Sequence, residues 1–246
     1  PIANNELSDN RDLSRKFALL GLGISYQINA ALQLYGNVSQ NYRSVTFSDI
    51  RVASPSFRVD PDIQDESGFT LDLGLRGRLK KILSYDLGAF TILYDERIGI
   101  VFDDRANRVR KNIGKALIYG VEAFTDYNLM SIIDKDSDRY RFNIFVNGAV
   151  TGSEYLESDV PNAEGKKVEF IPEFNFKTGI RGGYRNLLLN LQYSYLSEQY
   201  TDVENSQAAP LGDSRNGIIG PVPLYNVMDL SISYRWKMWK IETGVN

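Results

Sequence analysis

The chain has 246 residues, of which 43% are hydrophobic and 12% aromatic, and its formal net charge is −3 at pH 7. It contains neither cysteine nor histidine, which excludes a disulfide framework, a Cys/His zinc site and any mechanism with a histidine base. The near-neutral charge argues against nucleic-acid binding. No apolar run reaches the length of about 18 residues that a transmembrane helix needs.

Alternation of apolar and polar residues predicts β-strands along most of the chain. The clearest segment runs from Phe69 to Leu79, where leucines at alternate positions share one face and Asp72 and Arg76 lie on the other. In chain order the predicted strands fall within residues 20–28, 32–39, 69–79, 83–102, 119–124, 142–150, 174–184, 187–195, 228–236 and 241–245. The pattern therefore predicts ten antiparallel strands in one all-β domain.

The connections between these strands alternate in predicted length. Short links centre on Asn29-Ala30, Lys80-Lys81, Asp134–Asp138, Arg185-Asn186 and Lys237–Trp239. Long links span roughly residues 44–66, 103–112, 154–168 and 201–224. Short turns at one end and long links at the other are typical of an outer-membrane β-barrel.

The two faces of the predicted strands differ in polarity. If the sheet is a transmembrane barrel, Leu71, Leu73 and Leu75 face lipid, whereas Asp72, Arg76 and Arg78 face the lumen. Two features favour this interpretation over a soluble barrel with an apolar interior: the strands are long, and the apolar faces end in aromatic residues. These aromatic residues are Tyr26, Phe69, Tyr184, Tyr195 and Trp236.

Several stretches, taken together, resemble a known family. They are Asn41-Tyr42-Arg43, Val59-Asp60-Pro61-Asp62 followed by LDLGLRG, LSYDLGAFTILYDERIGIV, KNIGKALIYGVEAF, VEFIPEFNFKTGI, LQYSYLSEQYTD and PLYNVMDLSISYRWKMWKIETGVN. In order and spacing they resemble TonB-dependent receptors, in the ferric-citrate-receptor-like branch, over nearly the whole chain from about Phe17.

This resemblance implies that residues 1–246 are a C-terminal portion of a barrel of about 22 strands. The plug domain, the early strands and the last strand are then expected to lie outside these residues. The first strand, Phe17–Ile28, and the last, Lys240–Asn246, are expected not to pair with each other.

The resemblance also implies a function. The expected receptor lies among the lipids of the outer membrane of a Gram-negative bacterium and imports a ferric chelate, iron-citrate or another siderophore. The TonB–ExbB–ExbD complex supplies energy through the plug domain. No enzymatic activity and no cofactor are expected.

An anionic iron-citrate complex suits arginine, whose fork of N–H donors matches a carboxylate. The candidate ligand residues on the first long link are Arg43, Arg51 and Arg58. On the second they are Arg105, Arg108 and Arg110. The alternative is that each is a solvated loop charge.

Three other functional classes stay open at this point. A passive porin-like channel needs no plug domain, and a self-contained small outer-membrane barrel would have a non-transport role. A soluble sugar-binding β-protein would cluster its aromatic residues on one surface patch. The carboxylate pairs Asp60/Asp62 and Asp103/Asp104 lie among turn-forming residues, so they do not predict a catalytic or calcium site.

Overall fold

The computed structural model describes residues 17–52, 57–103, 105, 107–133, 139–207 and 220–246. Within this part of the chain the elements are β1 (Gly21–Asn29), β2 (Leu32–Arg43), α1 (Phe47–Ile50), β3 (Phe57–Val59), β4 (Glu66–Leu79), β5 (Leu83–Phe102), β6 (Arg108–Asn128), α2 (Met130–Ile133), β7 (Tyr140–Ser158), β8 (Phe174–Tyr184), β9 (Leu187–Leu196), β10 (Tyr225–Trp236) and β11 (Trp239–Val245). No helix among these elements is long and apolar enough to cross a membrane.

The long strands form one antiparallel sheet in which each pairs with the next along the chain. The order is β1-β2-β4-β5-β6-β7-β8-β9-β10-β11, and the short strand β3 pairs in parallel with β6. The ten predicted strands are confirmed, and β3 is an additional strand that the alternation did not reveal. Within the described residues β1 and β11 lie at opposite edges and do not pair with each other, as expected.

One face of the sheet is apolar from edge to edge. Cross-strand neighbours share a face, and the register places Val38 opposite Leu71 and Leu75 opposite Leu87. Leu71 and Leu73 are 45% and 56% exposed, so they are not packed into a closed core. That these leucines face lipid stays a prediction, since this open sheet exposes side chains on both of its faces.

The opposite face carries hydrogen-bonded polar side chains. The amide of Asn37 donates to Asp72 over 3.2 Å, and the hydroxyl of Tyr35 donates to Asp86 over 2.8 Å. The register continues this face through β6 to β11, where it presents Glu122, Lys177, Asp229 and Glu242. We call it the inner face and the apolar one the outer face.

Aromatic residues mark both ends of the outer face. Phe69 and Tyr195 lie towards the end with long links, whereas Tyr26, Tyr184 and Trp236 lie beside the turns at the other end. The rings of Tyr140 and Tyr184 are 5.0 Å apart across β7 and β8. Two aromatic bands separated by aliphatic residues match the membrane–water interfaces on either side of a bilayer.

The link lengths correct two predictions. The second long link is only 103–107, because β5 and β6 stay paired as far as Phe102 opposite Arg108; residues 108–112 belong to β6. Likewise β7 continues to Ser158, so the third link is 159–173. Strand β6 begins earlier, and β7 ends later, than the alternation predicts. The reason is that β-bulges near Arg97 and Lys115 interrupt the alternation without ending the pairing.

The connection between β6 and β7, predicted to be short, covers residues 129–139 and contains α2. The stretch Asp134–Asp138 lies outside the described residues. The strict alternation of short and long links is therefore wrong at this position. The links that join β2 to β4, β7 to β8 and β9 to β10 do lie at one end of the sheet, together with the hairpin 103–107. We call this the long-link end.

Candidate functional site

A cleft of about 450 Å³ opens on the inner face at the long-link end. It lies between α1, the ends of β2, β4, β5 and β6, and the links 159–173 and 197–224. Its lining residues are Asn41, Tyr42, Arg43, Asp49, Glu66, Ser67, Tyr94, Arg97, Ile98, Gly99, Ile100, Arg110, Glu169, Phe170 and Thr201.

Two links fold onto the inner face beside this cleft and form an apolar cluster there. Val168 and Val203, from links 159–173 and 197–224, are each 1% exposed and pack with Ile113 and Tyr155 of the sheet. Asn205 joins the two links, because its amide donates to the oxygen of Lys167 over 2.9 Å and its carbonyl accepts the Lys167 N–H over 2.8 Å. This packing holds the links against the upper wall.

Asp49 of α1 closes one side of the cleft through an ion pair. Nη2 of Arg43 donates to both carboxylate oxygens of Asp49, over 2.7 and 2.9 Å, and Nη1 of Arg110 lies 3.7 Å from Oδ1. The backbone N–H and hydroxyl of Thr46 donate to Oδ2 over 2.9 and 2.7 Å. Burial opposes ionisation of Asp49, but the hydrogen bonds from Thr46 and Arg43 outweigh it, so the pKa of Asp49 lies below its ordinary 3.8.

Glu66, at the start of β4, is the second buried carboxylate of the cleft. It lies 3.2 Å from Nη1 of Arg43 and accepts the backbone N–H of Ile98 over 2.7 Å. Its side chain is 4% exposed. Arg43 therefore connects Asp49 with Glu66 and ties the link after β2 to the start of β4.

A β-bulge directs Arg97 into the cleft. Pairing shifts between Tyr94 opposite Ala116 and Arg97 opposite Gly114, and Glu96 adopts a left-handed φ of 53°. Below the bulge even-numbered residues of β5 face inward; above it Arg97 and Gly99 do. The guanidinium of Arg97 accordingly lies 5.0 Å from the ring centroid of Tyr94, an inner-face residue.

Glu169 is the third buried carboxylate. The hydroxyl of Tyr155 donates to its Oε2 over 2.6 Å, and the residue is 6% exposed. Burial raises the pKa of Glu169 above its ordinary 4.5, against the hydrogen bond from Tyr155 and the charge of Arg97.

The link between β2 and β4 is anchored across the top of β5. Strand β3 pairs with residues 108–110 of β6, where β6 extends beyond β7. The amide of Asn112 donates to the backbone oxygens of Gln64 and Glu96 over 3.1 and 2.6 Å, and its side-chain oxygen accepts the Gln64 N–H. The link thus covers an otherwise exposed strand edge.

The structure brings together two of the six arginines selected from the sequence. Arg43 and Arg110 line the cleft, and both contact Asp49. The other four lie outside its lining. Arg51 follows α1 and is exposed, Arg58 is exposed on β3, Arg105 is exposed in the hairpin 103–107, and Arg108 is half-buried on β6. Arg108 and Arg110 therefore belong to a strand and not to a loop.

Sequence reasoning missed Arg97, Asp49, Glu66 and Glu169. Strict alternation continued from Tyr94 would place Arg97 on the lipid face, because it does not register the bulge. A charge at a lipid-facing position near a strand end is the signal that could have revealed this bulge. The three carboxylates come from separate elements, and only the folded links bring them together.

The cleft is electrically balanced. Its lining contains three guanidinium groups, Arg43, Arg97 and Arg110, and three carboxylates, Asp49, Glu66 and Glu169. No group of three carboxylates, histidines or cysteines in the described part of the chain is arranged to hold a metal ion. The lining therefore offers both hydrogen-bond donors and acceptors to a polar ligand.

Comparison with solved structures supports this architecture. The ferric citrate transporter FecA in its unliganded form matches with a TM-score of 0.66 and 22% identity, over 89% of this chain and 30% of that chain. The copper transporter OprC gives 0.64 and 14%, over 91% and 32%. The ferric yersiniabactin uptake receptor FyuA from Yersinia pestis gives 0.59 and 18%, over 87% and 29%. At these identities the likeness establishes the fold, and this chain spans about a third of each matched structure.

A family model gives the broader assignment. The model described as TonB dependent receptor-like, beta-barrel matches residues 4–246, which is almost the full length of the chain. The two-faced antiparallel sheet, its aromatic bands and its inward-folded links agree with that match. The chain belongs to the TonB-dependent receptor-like β-barrel family.

Proposed function

We propose that this chain is part of the wall of an outer-membrane receptor that takes up a ferric chelate, with iron-citrate and other siderophores as candidate cargoes. The observation that supports this most is a sheet with an apolar outer face and a polar inner face, in a chain of the TonB-dependent receptor family. Such a sheet separates lipid from an aqueous lumen.

In this proposal residues 1–246 form part of a longer barrel. Its remaining strands complete the wall at the edges of β1 and β11, and a plug domain occupies the lumen. Unpaired backbone groups at these edges would each cost several kcal/mol in hydrocarbon, so further strands are needed there. The TonB–ExbB–ExbD complex acts through the plug, in the outer membrane of a Gram-negative bacterium.

The cleft at the long-link end is the proposed place of ligand contact from this part of the wall. Arg43 and Arg110 line it and are the first candidates among the arginines chosen from the sequence. Arg51, Arg58, Arg105 and Arg108 lie nearer the rim and are proposed to attract an anionic chelate before it enters. Ferric citrate belongs here as one candidate, because FecA, whose fold this chain shares, is a ferric citrate transporter.

Uptake of radiolabelled iron tests the proposal. In the source bacterium, deletion of the gene should abolish uptake of at least one ferric chelate from a panel of citrate, hydroxamate and catecholate complexes. Deletion of the tonB gene should give the same loss. Restoring the intact gene should recover uptake in the first strain only.

The dependence of uptake on chelate concentration and on TonB also distinguishes a receptor from a passive channel. Uptake that saturates at low chelate concentration and needs TonB supports the receptor. Uptake that rises linearly with concentration and survives loss of TonB would replace this proposal with a porin-like channel. Unchanged uptake of every chelate after gene deletion would remove ferric chelates as the cargo.

A further inference from the structure

Two arginines of the cleft are already in contact with a carboxylate of the protein itself. The oxygens of Asp49 lie 2.7 and 2.9 Å from Nη2 of Arg43, and its Oδ1 lies 3.7 Å from Nη1 of Arg110. Both arginines line the cleft. The carboxylate of Asp49 therefore has the position in which a carboxylate of an anionic chelate would contact the same two guanidinium groups.

Both arginines remain accessible to a ligand in this arrangement. The side chain of Arg43 is 44% exposed, although it contacts both Asp49 and Glu66. The side chain of Arg110 is 22% exposed. They border a space of about 450 Å³ that is open on the inner face. A ligand in the cleft therefore reaches these side chains without any rearrangement of the sheet.

A second anion at these arginines is unfavourable while Asp49 keeps its place. Two carboxylates side by side repel each other, and a partly buried site screens that repulsion poorly. Glu66, which also contacts Arg43, adds to the repulsion. An anion that binds to Arg43 and Arg110 must therefore replace Asp49.

Polar contacts, and not apolar packing, hold α1 at the wall. Asp49 is the buried residue of this helix, whereas Phe47 and Ile50 are 78% and 38% exposed. A helix of four residues has little stability of its own. The link that carries Val168 is instead fixed by the apolar cluster. The first link is therefore the side of the cleft that can move when Asp49 loses its contacts.

We infer that Asp49 is a specificity-determining residue of the cleft: an anionic ligand binds by replacing its carboxylate at Arg43 and Arg110, and α1 then leaves the wall. The inference rests on the proposed function and concerns the same cleft. The exchange keeps the charge-assisted hydrogen bonds of Arg43, while Asp49 returns to water. Because Asp49 is tethered to the protein, a single ligand carboxylate competes poorly with it. The exchange therefore selects chelates that contact the two arginines with separate carboxylates.

Equilibrium binding to the full-length receptor in detergent tests the exchange with two probes, ferric dicitrate and a neutral ferric trihydroxamate. Asp49→Asn removes the competing charge and should raise the affinity for ferric dicitrate about tenfold. It should not raise the affinity for the trihydroxamate, which carries no charge. The matched control Asp62→Asn makes the same change of charge at an exposed position of the same link and should alter neither affinity.

A second variant keeps the test independent of the folding of Asp49→Asn. Thr46→Val removes the hydroxyl that donates to Oδ2 of Asp49 over 2.7 Å and leaves the carboxylate in place. Because it weakens the hold on Asp49, it should raise the affinity for ferric dicitrate about threefold. Simple repulsion by a fixed Asp49 would not be relieved by this variant, so the increase distinguishes exchange from repulsion.

Hydrogen exchange of residues 44–52 reports the movement of α1. In the wild type, saturation with ferric dicitrate should make exchange of this segment faster. Slower or unchanged exchange, or an affinity for ferric dicitrate that does not rise in whichever of the two variants folds, would overturn the inference and leave the receptor intact. Binding of the trihydroxamate alone, or of neither probe, would also overturn it, whereas the proposed function depends on uptake of the wider panel of chelates.

Discussion

Arg43 and Asp49 form the ion pair that fixes α1 over the cleft, with one guanidinium nitrogen 2.7 and 2.9 Å from the two carboxylate oxygens. The carboxylate is almost fully buried, whereas the arginine keeps 44% of its side chain exposed. The same arginine reaches Glu66 at the start of β4. One side chain thus joins the end of β2, the short helix and the beginning of β4, and it holds the first link at the wall.

Replacing Asp49 with Asn should loosen the first link. The change removes the charge of the ion pair with Arg43 and should cost about 1–3 kcal/mol of local stability, towards the lower end because Arg43 is partly exposed. Hydrogen exchange of residues 44–52 should become faster. Asp62→Asn, an exposed position in the same link, is the control and should leave that exchange rate unchanged.

The two buried carboxylates Asp49 and Glu169 should respond to acid with opposite signs. The pKa of Asp49 is lowered in the folded state, so its stabilisation is present above its ordinary 3.8 and is lost as the pH falls through the lowered value. The pKa of Glu169 is raised, so ionisation opposes folding and protonation relieves that cost as the pH falls through the raised value towards 4.5.

Hydrogen exchange between pH 6 and about pH 3, corrected for the intrinsic rates, separates these effects. Protection of the α1 segment should fall at the acid end, whereas protection of residues 166–172 should be retained or increase. Glu169→Gln should remove the pH response of the second segment alone. A parallel loss of protection in both segments would show that the burial of Glu169 does not govern its link.

A charge on the outer face should destabilise the barrel in a bilayer. Leu73→Arg places a guanidinium opposite Gly36 and Ala89, near the middle of β4, and should cost roughly 2–4 kcal/mol. Ser231→Arg puts the same group on the inner face of β10 and should cost much less. Reversible unfolding of the full-length receptor in lipid vesicles gives both values. Equal costs for the two variants would contradict the assignment of the faces.

The bulge that redirects Arg97 depends on a glycine opposite it. Gly114 has a φ of +133°, and a Cβ there would lie 2.1 Å from the backbone oxygen of Glu157. Gly114→Ala should therefore destabilise the long-link end by at least about 1–3 kcal/mol. Gly182→Ala adds a Cβ with no atom within 4 Å and should change the melting temperature little. Similar melting temperatures for both variants would contradict this role of Gly114.

The sequence predicts the middle of the wall well and its upper rim poorly. Between Phe69 and Leu79, each residue faces one side of a regular strand, so alternation alone identifies Leu73 as outward and Asp72 as inward. At Arg97 a single extra residue reverses the facing, and the only sequence signal of this bulge is a charge at a position where strict alternation predicts a lipid-facing residue. For the same reason the second link was predicted to end at residue 112, although β6 begins at Arg108.

The cleft was predicted only in part for a related reason. Arg43 and Arg110 were selected because arginine suits a carboxylate ligand, and the structure places both there, although each already contacts Asp49. Glu169 and Tyr155 meet only after the third link folds onto the inner face. Long-range packing of this kind is not encoded in the spacing of residues along one strand.

Site-directed spin labelling of β4 tests the central claim most directly, and this chain contains no cysteine that would take up the label elsewhere in it. Labels at Leu71 and Leu73 of the full-length receptor in vesicles should collide more with oxygen, which concentrates in lipid. A label at Asp72 should collide more with a water-soluble nickel chelate. Such alternation between neighbouring positions would show that the apolar face of the sheet contacts the bilayer. Low accessibility to both reagents at Leu71 and Leu73, as in a closed protein core, would contradict the account.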